Sequence, residues 1–507
     1  INKLQKREKE GRQMQKLGFN NKTYIAEQTR RIRERIERFG GKLYLEFGGK
    51  LFDDFHAARV LPGFDVNGKV KLLCELKDQA EIILCISAKA IEANKIRADV
   101  GITYDLDVMR LIDSLRKMGL YIGSVLITQY SGQAGADVFR KKLEMRGERV
   151  YVHTLTKGYP SDVDTIVSPE GYGANPYIET SRPLVVVTAP GPGSGKLATC
   201  LSQLYHEYLR GMRAGYAKYE TFPVWDLPLD HPVNVAYEAA TADLRDVNMI
   251  DPFHLAAYGT PAVNYNRDIE AFPVVRTILG RICGEDLYRS PTDMGVNMIG
   301  RCITDNAVVQ EAARQEIIRR YYQARCAYTK GEGDLEACKR IEFLMSSQRI
   351  NTNIRRTVAA AVEKSRESGR YAVAIELPDG QVVTGKSSEL MNDTAAAVLN
   401  SIKALAGLSD EILLISPVVL EPIIRLKKEM LGSRYPVLKL EEVLLALSIS
   451  AALNPTAQLA MEQLPRLRGC DAHCSDIITQ ADANTFLKLG VNVTCEPQYP
   501  TKDLYFK

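Results

Sequence analysis

Short, nearly all-apolar runs alternate with amphipathic stretches between residues 42 and 275. The runs predict β-strands, because a strand covered by helices on both faces carries apolar residues at successive positions. The stretches between the runs place apolar residues at helical spacing. Strands alternating with helices of this length are typical of βαβ units in a mostly parallel sheet. The predicted strands are KLYLEF (42–47), AEIILCIS (80–87), YIGSVLIT (121–128), ERVYVHT (148–154) and PLVVVTA (183–189).

Beyond residue 275 the pattern changes twice. Between 276 and 365 the strand signals fade, and two amphipathic stretches predict helices: RQEIIRRYYQARCAY (314–328) and EACKRIEFLMSS (336–347). From 366 onward the alternation resumes, with β-rich runs flanking Pro378-Asp379-Gly380 that predict a hairpin. A helix is predicted to follow, capped by Asp393. Further strands are predicted at EILLISP (411–417) and VNVTC (491–495).

Together these patterns predict a multidomain α/β protein. A chain of 507 residues is too long for one core at about 150 residues per domain. The predicted parts are a polar tail (1–13), a mostly parallel α/β domain (14–275), a helical middle subdomain (276–365) and a second α/β domain (366–507).

The composition is that of an ordinary globular protein, with 45% hydrophobic and 25% charged residues. No apolar run approaches the roughly 18 residues that cross a bilayer, and the first residues are charged, so neither a membrane span nor a secretory signal is predicted. Ten scattered cysteines indicate reduced thiols and a cytoplasmic location. The one tight cluster, Cys470, His473 and Cys474, lacks a second clustered pair, so no metal site is predicted.

Positive charge is concentrated in the first 40 residues, where 12 Lys/Arg face 5 Asp/Glu. A basic arm of this kind could contact nucleic acid. However, Ile25, Ile32, Ile36 and Phe39 recur at helical spacing, which indicates an amphipathic helix with a solvated basic face. The chain shows no nucleic-acid-binding fold or interleaved aromatic pattern, so the helix is the favoured interpretation.

The sharpest chemical signal is the strand LVVVT (184–188), the turn APGPGSGK (189–196) and the helical pattern that follows. Phosphate binding needs backbone N–H groups that approach closely and a positive field. Glycines, a helix start and a lysine supply these. The segment resembles the Walker A loop, G-x-x-x-x-G-K-[ST]. The alternative is a helix entry whose glycines only permit a tight turn. The predicted phosphate-binding residues are Gly191, Gly193, Ser194, Gly195, Lys196 and Thr199.

The segment departs from the Walker A motif at two positions. Pro190 stands where the first glycine belongs, and Leu197 replaces the hydroxyl residue that holds magnesium. Magnesium bound with ATP or another phosphate-bearing ligand would therefore need another ligand, Thr199 or a carboxylate such as Asp226. Asp226 precedes Leu-Pro, so it fits a turn as well as it fits a magnesium ligand, and the turn is the favoured interpretation.

Residues 156–182 form a long turn-rich segment that leads directly into the LVVVT strand. Long segments of this kind within compact domains are often functional, so a substrate loop is predicted here. Its candidate residues are Lys157, Asp162, Asp164, Tyr172 and Arg182. His254 and Arg267 are further polar candidates without a motif.

Several segments resemble an uncharacterised bacterial family defined by paired amino- and carboxy-terminal domains of unknown function. They are KLYLEFGGKL (42–51), ARVLPGFD (58–65), KGYPSDVDTIVS (157–168), APGPGSGKLATCLSQLYHEY (189–208), FPVW (222–225) and NYNRDIE (264–270). The resemblance implies a cytosolic bacterial protein but no reaction. Members are sometimes labelled ATP-dependent zinc proteases. His206-Glu207 is followed by Arg210 where H-E-x-x-H requires histidine, which argues against zinc proteolysis.

The carboxy-terminal hairpin and helix are similar in layout to the opening of cytidine-deaminase-like folds. Those enzymes carry H-x-E at the helix start and P-C-x-x-C later. Here the helix begins Asp393-Thr394-Ala395 and no P-C-x-x-C follows, so the resemblance implies that layout without its zinc ligands.

Three functional hypotheses remain open from the sequence. The first is an enzyme that binds a nucleotide or phosphorylated metabolite at Gly191–Lys196, with phosphoryl-transfer or ligase-type chemistry. The second is a metabolite-binding regulator without turnover. The third is a structural assembly protein, for which a homo-oligomer is a natural form.

Overall fold

The computed structural model describes residues 16–97, 101–434 and 436–501, so the predicted tail at 1–13 lies outside the described residues. Contacts divide the chain into two compact units. One consists of Leu17–Glu238 with Asp246–Ala313, and the other includes Ala239–Arg245 and the chain from Arg314 onward. The boundaries predicted near residues 275 and 365 stay predictions.

The strands alternate with helices as the apolar pattern predicts. The strands are β1 Leu43–Phe47, β2 Ala80–Ser87, β3 Ile96–Arg97, β4 Ile102–Thr103, β5 Tyr121–Thr128, β6 Val150–Val152, β7 Leu184–Thr188, β8 Gly215–Tyr219, β9 Asn248–Ile250, β10 Val263–Tyr265, β11 Ala372–Glu376, β12 Val382–Lys386, β13 Asp471–Cys474 and β14 Asn492–Cys495.

The α-helices have the following bounds. Up to residue 300 they are α1 Asn21–Arg38, α2 Phe55–Val60, α3 Gly68–Glu75, α4 Ala88–Glu92, α5 Tyr104–Lys117, α6 Ala134–Glu144, α7 Val163–Ile166, α8 Lys196–Leu209, α9 Pro232–Ala240, α10 Pro252–Tyr258, α11 Asn266–Cys283 and α12 Pro291–Met294. After residue 300 they are α13 Asn306–Thr329, α14 Leu335–Ser347, α15 Arg356–Ser368, α16 Asp393–Leu405, α17 Pro417–Arg425, α18 Leu440–Ala451, α19 Pro455–Met461 and α20 Gln480–Leu489.

The first unit is built on a six-stranded parallel sheet with the order β6-β5-β2-β7-β1-β8. This confirms the predicted α/β class and the parallel pairing of the five predicted strands. Strand β8, which pairs with β1 at the edge of the sheet, was not predicted from the sequence. Its residues, GYAKY, include a lysine and do not form an apolar run.

Helix α8 covers one face of this sheet and contacts β1, β7 and β8. It begins immediately after the glycine-rich turn that follows β7. Because all six strands are parallel, the turns after β1, β2, β5, β7 and β8 lie along the same edge of the sheet. The glycine-rich turn therefore occupies the middle of the carboxyl edge, where open parallel sheets bind ligands.

Residues 21–38 of the basic amino-terminal stretch form helix α1, as the periodicity predicts. Asn20 caps the helix, with its side chain accepting from the N–H of Thr23. Tyr24, Ile32 and Ile36 are buried, so the apolar stripe packs against the rest of the unit.

The second unit contains a four-stranded sheet with the order β12-β11-β13-β14. The hairpin predicted around Gly380 is present as β11 and β12, and VNVTC forms β14. The prediction of a strand at EILLISP is wrong, because residues 411–416 form no regular element and α17 begins at Pro417. Apolar runs of this length do not distinguish a strand from a buried segment next to a helix.

The cap predicted for α16 is also corrected. The Asn392 side chain accepts from the N–H of Ala395, so Asn392 is the cap and Asp393 is the first helical residue. Asp393 is instead buried, and its Oδ2 has no hydrogen-bond partner among the described residues. Among the helices that the structure describes, none is both long and apolar enough to cross a membrane.

Candidate functional site

The glycine-rich turn links the end of β7 to the start of α8. Gly193 and Gly195 have φ angles of 73° and 79°, in the left-handed region that glycine adopts without strain. Gly191 lies against Tyr104, where a Cβ atom would overlap the tyrosine hydroxyl. These glycines therefore let the backbone make a close, tightly curved path into the helix.

The carbonyl groups of this turn are engaged by the surrounding protein. The Ser194 hydroxyl donates to the Gly191 carbonyl oxygen at 2.8 Å. Gln129 Nε2 donates to the Gly193 oxygen at 3.2 Å, and Thr128 Oγ1 donates to the Ser194 oxygen at 2.9 Å. The end of β5 therefore holds the turn in place.

The backbone N–H groups at the end of this turn and in the first turn of α8 have no acceptors among the described residues. From Gly193 to Ala198, six consecutive N–H groups donate to none of the described residues. A helix start with free N–H groups carries a partial positive charge and binds anions. The turn thus has the donor arrangement that a phosphate group requires.

Lys196 adds a full positive charge at this position. It is half-buried and makes no ion pair or hydrogen bond with any described residue. Burial raises the pKa of the Cys85 thiol to about 12, and the nearby Lys196 charge offsets part of that rise. The lysine is therefore held near the core side of the turn without a carboxylate partner.

The residues considered for magnesium do not meet at this turn. Leu197 offers no oxygen ligand, and the buried Thr199 hydroxyl donates to the Gly195 carbonyl oxygen at 2.9 Å. Asp226 is exposed and lies against the backbone of Gly300. Among the described residues, no contact joins Asp226 to the 191–196 turn.

The candidate residues of the 156–182 segment have separate partners rather than a shared one. Lys157 is exposed, and Asp162 caps α7 by accepting from the N–H of Thr165. Asp164 pairs with Arg281 at 2.9 Å on the surface. Their role in substrate binding stays a prediction.

Tyr172 and Arg182 have structural partners. Tyr172 is buried beside Tyr205, and burial raises the pKa of its hydroxyl. Arg182 donates to the Ala80 carbonyl oxygen at 2.8 Å, and its guanidinium lies 4.7 Å from the centre of the Tyr121 ring. Because residues 80, 121 and 182 lie where their strands begin, Arg182 is at the edge opposite the glycine-rich turn.

His206 and Glu207 support the fold. His206 Nε2 lies 2.8 Å from the Asn175 carbonyl oxygen. The Glu207 carboxylate pairs with Lys42 at 2.5 Å and accepts from the hydroxyls of Tyr44 and Tyr177 at 2.7 and 2.9 Å. The His-Glu pair therefore joins α8 to β1 and to the 156–182 segment.

The Cys470, His473 and Cys474 cluster lies at strand β13. His473 and Cys474 are adjacent residues of a strand, so their side chains point to opposite faces. His473 is buried, with Nδ1 2.8 Å from Thr494 Oγ1. Within the described ranges, no group of three or more His, Cys, Asp or Glu side chains is arranged to hold a metal ion.

His254 and Arg267 lie near a second polar region, at the end of β8. His254 Nδ1 is 3.1 Å from Ser290 Oγ, and its ring centre is 6.2 Å from that of Trp225. Arg267 pairs with Asp246 at 2.6 Å. The structure does not bring either residue to the glycine-rich turn.

The centre of this second region is a charged group that no sequence pattern predicted. Lys218 Nζ lies 2.6 Å from both carboxylate oxygens of Asp268 and 3.3 Å from Glu220 Oε1. The Tyr265 hydroxyl donates to the same Glu220 oxygen at 3.1 Å. Burial, together with the nearby carboxylates of Asp268 and Glu46, raises the pKa of Glu220 to about 7. The available sequence signal was the pair of segments FPVW and NYNRDIE, which border this region.

The chain matches the model described as domain of unknown function DUF1846, N-terminal, over residues 17–349, and its C-terminal counterpart over 353–505. A UPF0371 protein of Clostridium tetani (strain Massachusetts / E88) is 58% identical over 500 residues, covering 97% of this chain and 99% of the relative. A UPF0371 protein of Clostridium botulinum (strain Eklund 17B / Type B) is 57% identical over 500 residues, again covering 97% of this chain and 99% of the relative. These matches span both predicted domains of unknown function and show that the chain belongs to the DUF1846 family.

Proposed function

We propose that this DUF1846 protein binds a phosphate-bearing small molecule, a nucleotide or a phosphorylated metabolite, at Gly191–Lys196. The observation that carries the proposal is the asymmetry of the turn. Its carbonyl groups are engaged by Thr128, Gln129 and Ser194, whereas six consecutive N–H groups have no acceptor among the described residues.

The charge at the turn favours an anion. The helix start contributes a partial positive charge of about half a unit, and Lys196 contributes a full charge. Phosphate offers several acceptor oxygens with negative charge, and so complements both the N–H groups and the lysine. A carboxylate or a sulfate ester carries one negative charge, whereas a phosphate ester carries about 1.5 to 2 near pH 7, so a phosphate ester is the preferred class.

An enzyme and a non-catalytic metabolite-binding regulator would use this turn in the same way. Turnover separates them, and phosphate release from ATP measures it for phosphoryl transfer. An assembly protein without a ligand would show neither turnover nor binding.

Titration calorimetry with inorganic pyrophosphate and with ATP tests the binding proposal. Lys196→Ala should weaken both probes by about tenfold or more, since it removes a charge next to the anion. Lys141→Ala is the matched control, because Lys141 is an exposed lysine near the end of α6. Both variants should melt at the wild-type temperature. Equal affinity of wild type and Lys196→Ala would refute the proposal.

A further inference from the structure

A cavity of about 50 Å³ lies beside the carboxyl end of β8. It is large enough for one small polar group, since a water molecule occupies about 30 Å³ in the liquid. Three separate stretches of the chain form its wall: the end of β8 with the FPVW segment, β10 with the start of α11, and the α12 region. The residues that matter for its chemistry are Lys218, Glu220, Trp225, Asn264, Asp268 and Asn297.

The hydrogen-bond donors on this wall are used inside the protein. Lys218 donates to Asp268 and to the Tyr265 hydroxyl, and Trp225 Nε1 donates to the Asn297 carbonyl oxygen at 2.9 Å. Asn297 Nδ2 donates to the Thr221 carbonyl oxygen at 2.8 Å. A ligand that needs hydrogen-bond donors would therefore meet groups that already donate to acceptors within the protein.

One strong acceptor on the wall is open. Glu220 Oε1 is held by Lys218 and Tyr265, but Oε2 bonds to no described residue. The Glu220 side chain is 29% exposed and lines the cavity. Gly48 lets the side chain pack closely, because a Cβ atom there would lie 2.8 Å from Glu220 Cγ. The carboxylate is thus held by one oxygen and presents the other.

The charges around the cavity are unbalanced. The carboxylates of Glu46, Glu220 and Asp268 all act on the single ammonium of Lys218. Tyr216 donates to Glu46 at 2.7 Å but brings no charge. Trp225 adds an aromatic wall, and indole faces attract cations. An excess of negative charge, an open carboxylate oxygen and an aromatic ring together favour a positively charged donor.

We propose that the cavity at the end of β8 binds the primary ammonium group of a small-molecule ligand, with Glu220 Oε2 as its acceptor. The turn after β7 and the residues after β8 lie on the same edge of the sheet, with β1 between them. Two strand spacings separate them by about 10 Å. One ligand can therefore carry a phosphate at Gly191–Lys196 and an ammonium at Glu220, and this second part rests on the proposed function.

Two bridging probes of equal length test the ammonium site: 5-aminopentyl phosphate and 5-hydroxypentyl phosphate. Wild type should bind the amine about tenfold or more tightly than the alcohol, because only the amine carries a positive charge. Glu220→Gln should abolish that preference and leave affinity for the alcohol unchanged. Glu336→Gln, at a surface glutamate whose side chain is 69% exposed, is the matched control and should keep the preference.

Equal wild-type affinity for the two probes, or a preference that survives in Glu220→Gln, would overturn the ammonium site. Melting temperatures establish that the variants are folded. If Glu220→Gln does not fold, Glu220→Asp keeps the charge and withdraws it by one carbon, and it should lose the preference as well.

The two proposals fail in different ways. Lys196→Ala should weaken both probes equally and keep the preference for the amine. If Lys196→Ala changes neither affinity, the phosphate proposal is wrong. n-Butylamine, compared with n-butanol, then tests the cavity without phosphate: stabilisation of wild type but not of Glu220→Gln by the amine supports the ammonium site on its own, and no effect on either protein refutes it.

Discussion

The hydroxyl of Thr128 donates to the carbonyl oxygen of Ser194 at 2.9 Å and so ties the last residue of β5 to the glycine-rich turn. Both residues are buried. The bond turns one peptide carbonyl of the turn toward the protein. It therefore contributes to the free N–H groups on which the proposed phosphate site depends.

Thr128→Val tests this relationship, since valine has nearly the same shape but no hydroxyl. We expect the free energy of unfolding to fall by about 1 kcal/mol because the Ser194 carbonyl loses a buried donor. Pyrophosphate affinity should fall as well, as the turn is held less firmly. Urea unfolding and calorimetry measure the two effects. Thr277→Val, which removes an exposed hydroxyl bonded to the Pro273 carbonyl oxygen, should leave affinity unchanged. Unchanged affinity in Thr128→Val would show that the β5 contact does not shape the site.

Pyrophosphate binding should depend little on magnesium. Leu197 stands where a hydroxyl ligand belongs, and the Thr199 hydroxyl is committed to the Gly195 carbonyl oxygen. The positive charge at the turn then comes from Lys196 and the helix start. Calorimetry with excess magnesium and with EDTA should give affinities within about twofold of one another. A loss of about tenfold or more in EDTA would mean that a metal ligand outside the turn completes the site.

Glu207→Gln should destabilise the protein. The substitution keeps an acceptor for Tyr44 and Tyr177 but leaves the buried Lys42 ammonium without its counter-charge. Breaking a buried ion pair in this way costs about 3 kcal/mol in the free energy of unfolding. Glu285→Gln, at a surface pair with Arg213, should cost less than about 1 kcal/mol. If urea unfolding showed no difference between the two variants, the His-Glu motif would need a role other than support of the fold.

Asn392→Ala should lower the free energy of unfolding by about 1 kcal/mol through loss of the cap of α16. The Asn392 side chain accepts from the N–H of Ala395 at 3.1 Å, a bond that alanine cannot make. Chemical unfolding measures the change. Pyrophosphate affinity should be unaltered, because the cap belongs to the second unit. Wild-type stability in this variant would mean that another group satisfies the helix start.

Asp393→Asn should become more stabilising as the pH rises. Burial, and then the Asp476 carboxylate, raises the pKa of Asp393 to about 7. The folded state therefore holds a proton that the unfolded state releases near pH 4, and wild-type stability falls between about pH 4 and pH 7. Asparagine does not ionise and lacks this loss.

Urea unfolding at several pH values measures this effect. The stability of Asp393→Asn relative to wild type should rise by about 1 kcal/mol or more between pH 4 and pH 8. Asp410→Asn, at an exposed aspartate, should show no such trend. A constant difference across the pH range would show that Asp393 ionises normally in the folded protein.

The candidate phosphate turn was readable from the sequence because its parts are contiguous. A buried strand, glycines and a helix start follow one another within β7, residues 189–195 and α8. The orientation of the peptide groups in this turn could not be predicted from the sequence. It depends on Thr128 and Gln129, which are more than 60 residues away in the chain.

The charged group at the end of β8 could not be predicted from the sequence. Lys218 lies in a strand with no apolar run, and Asp268 follows 50 residues later in a helix. The strand error at EILLISP has a related cause, since a short apolar run fits a strand or a partly buried irregular segment equally well, and here only Leu414 and Ile415 are buried.

The sequence by itself determined the local elements of this protein: the central strands, the amphipathic helix α1, the hairpin around Gly380 and the glycine-rich helix entry. Periodicity and turn residues act between near neighbours, so they can be read from short windows. Only the tertiary structure decided which polar groups meet. Glu220, Asp268 and Trp225 come together because β8 joins the edge of the sheet beside β1 and α11 packs against α8. Such pairing depends on backbone hydrogen bonds and the packing of whole faces, which residue types along the chain do not specify.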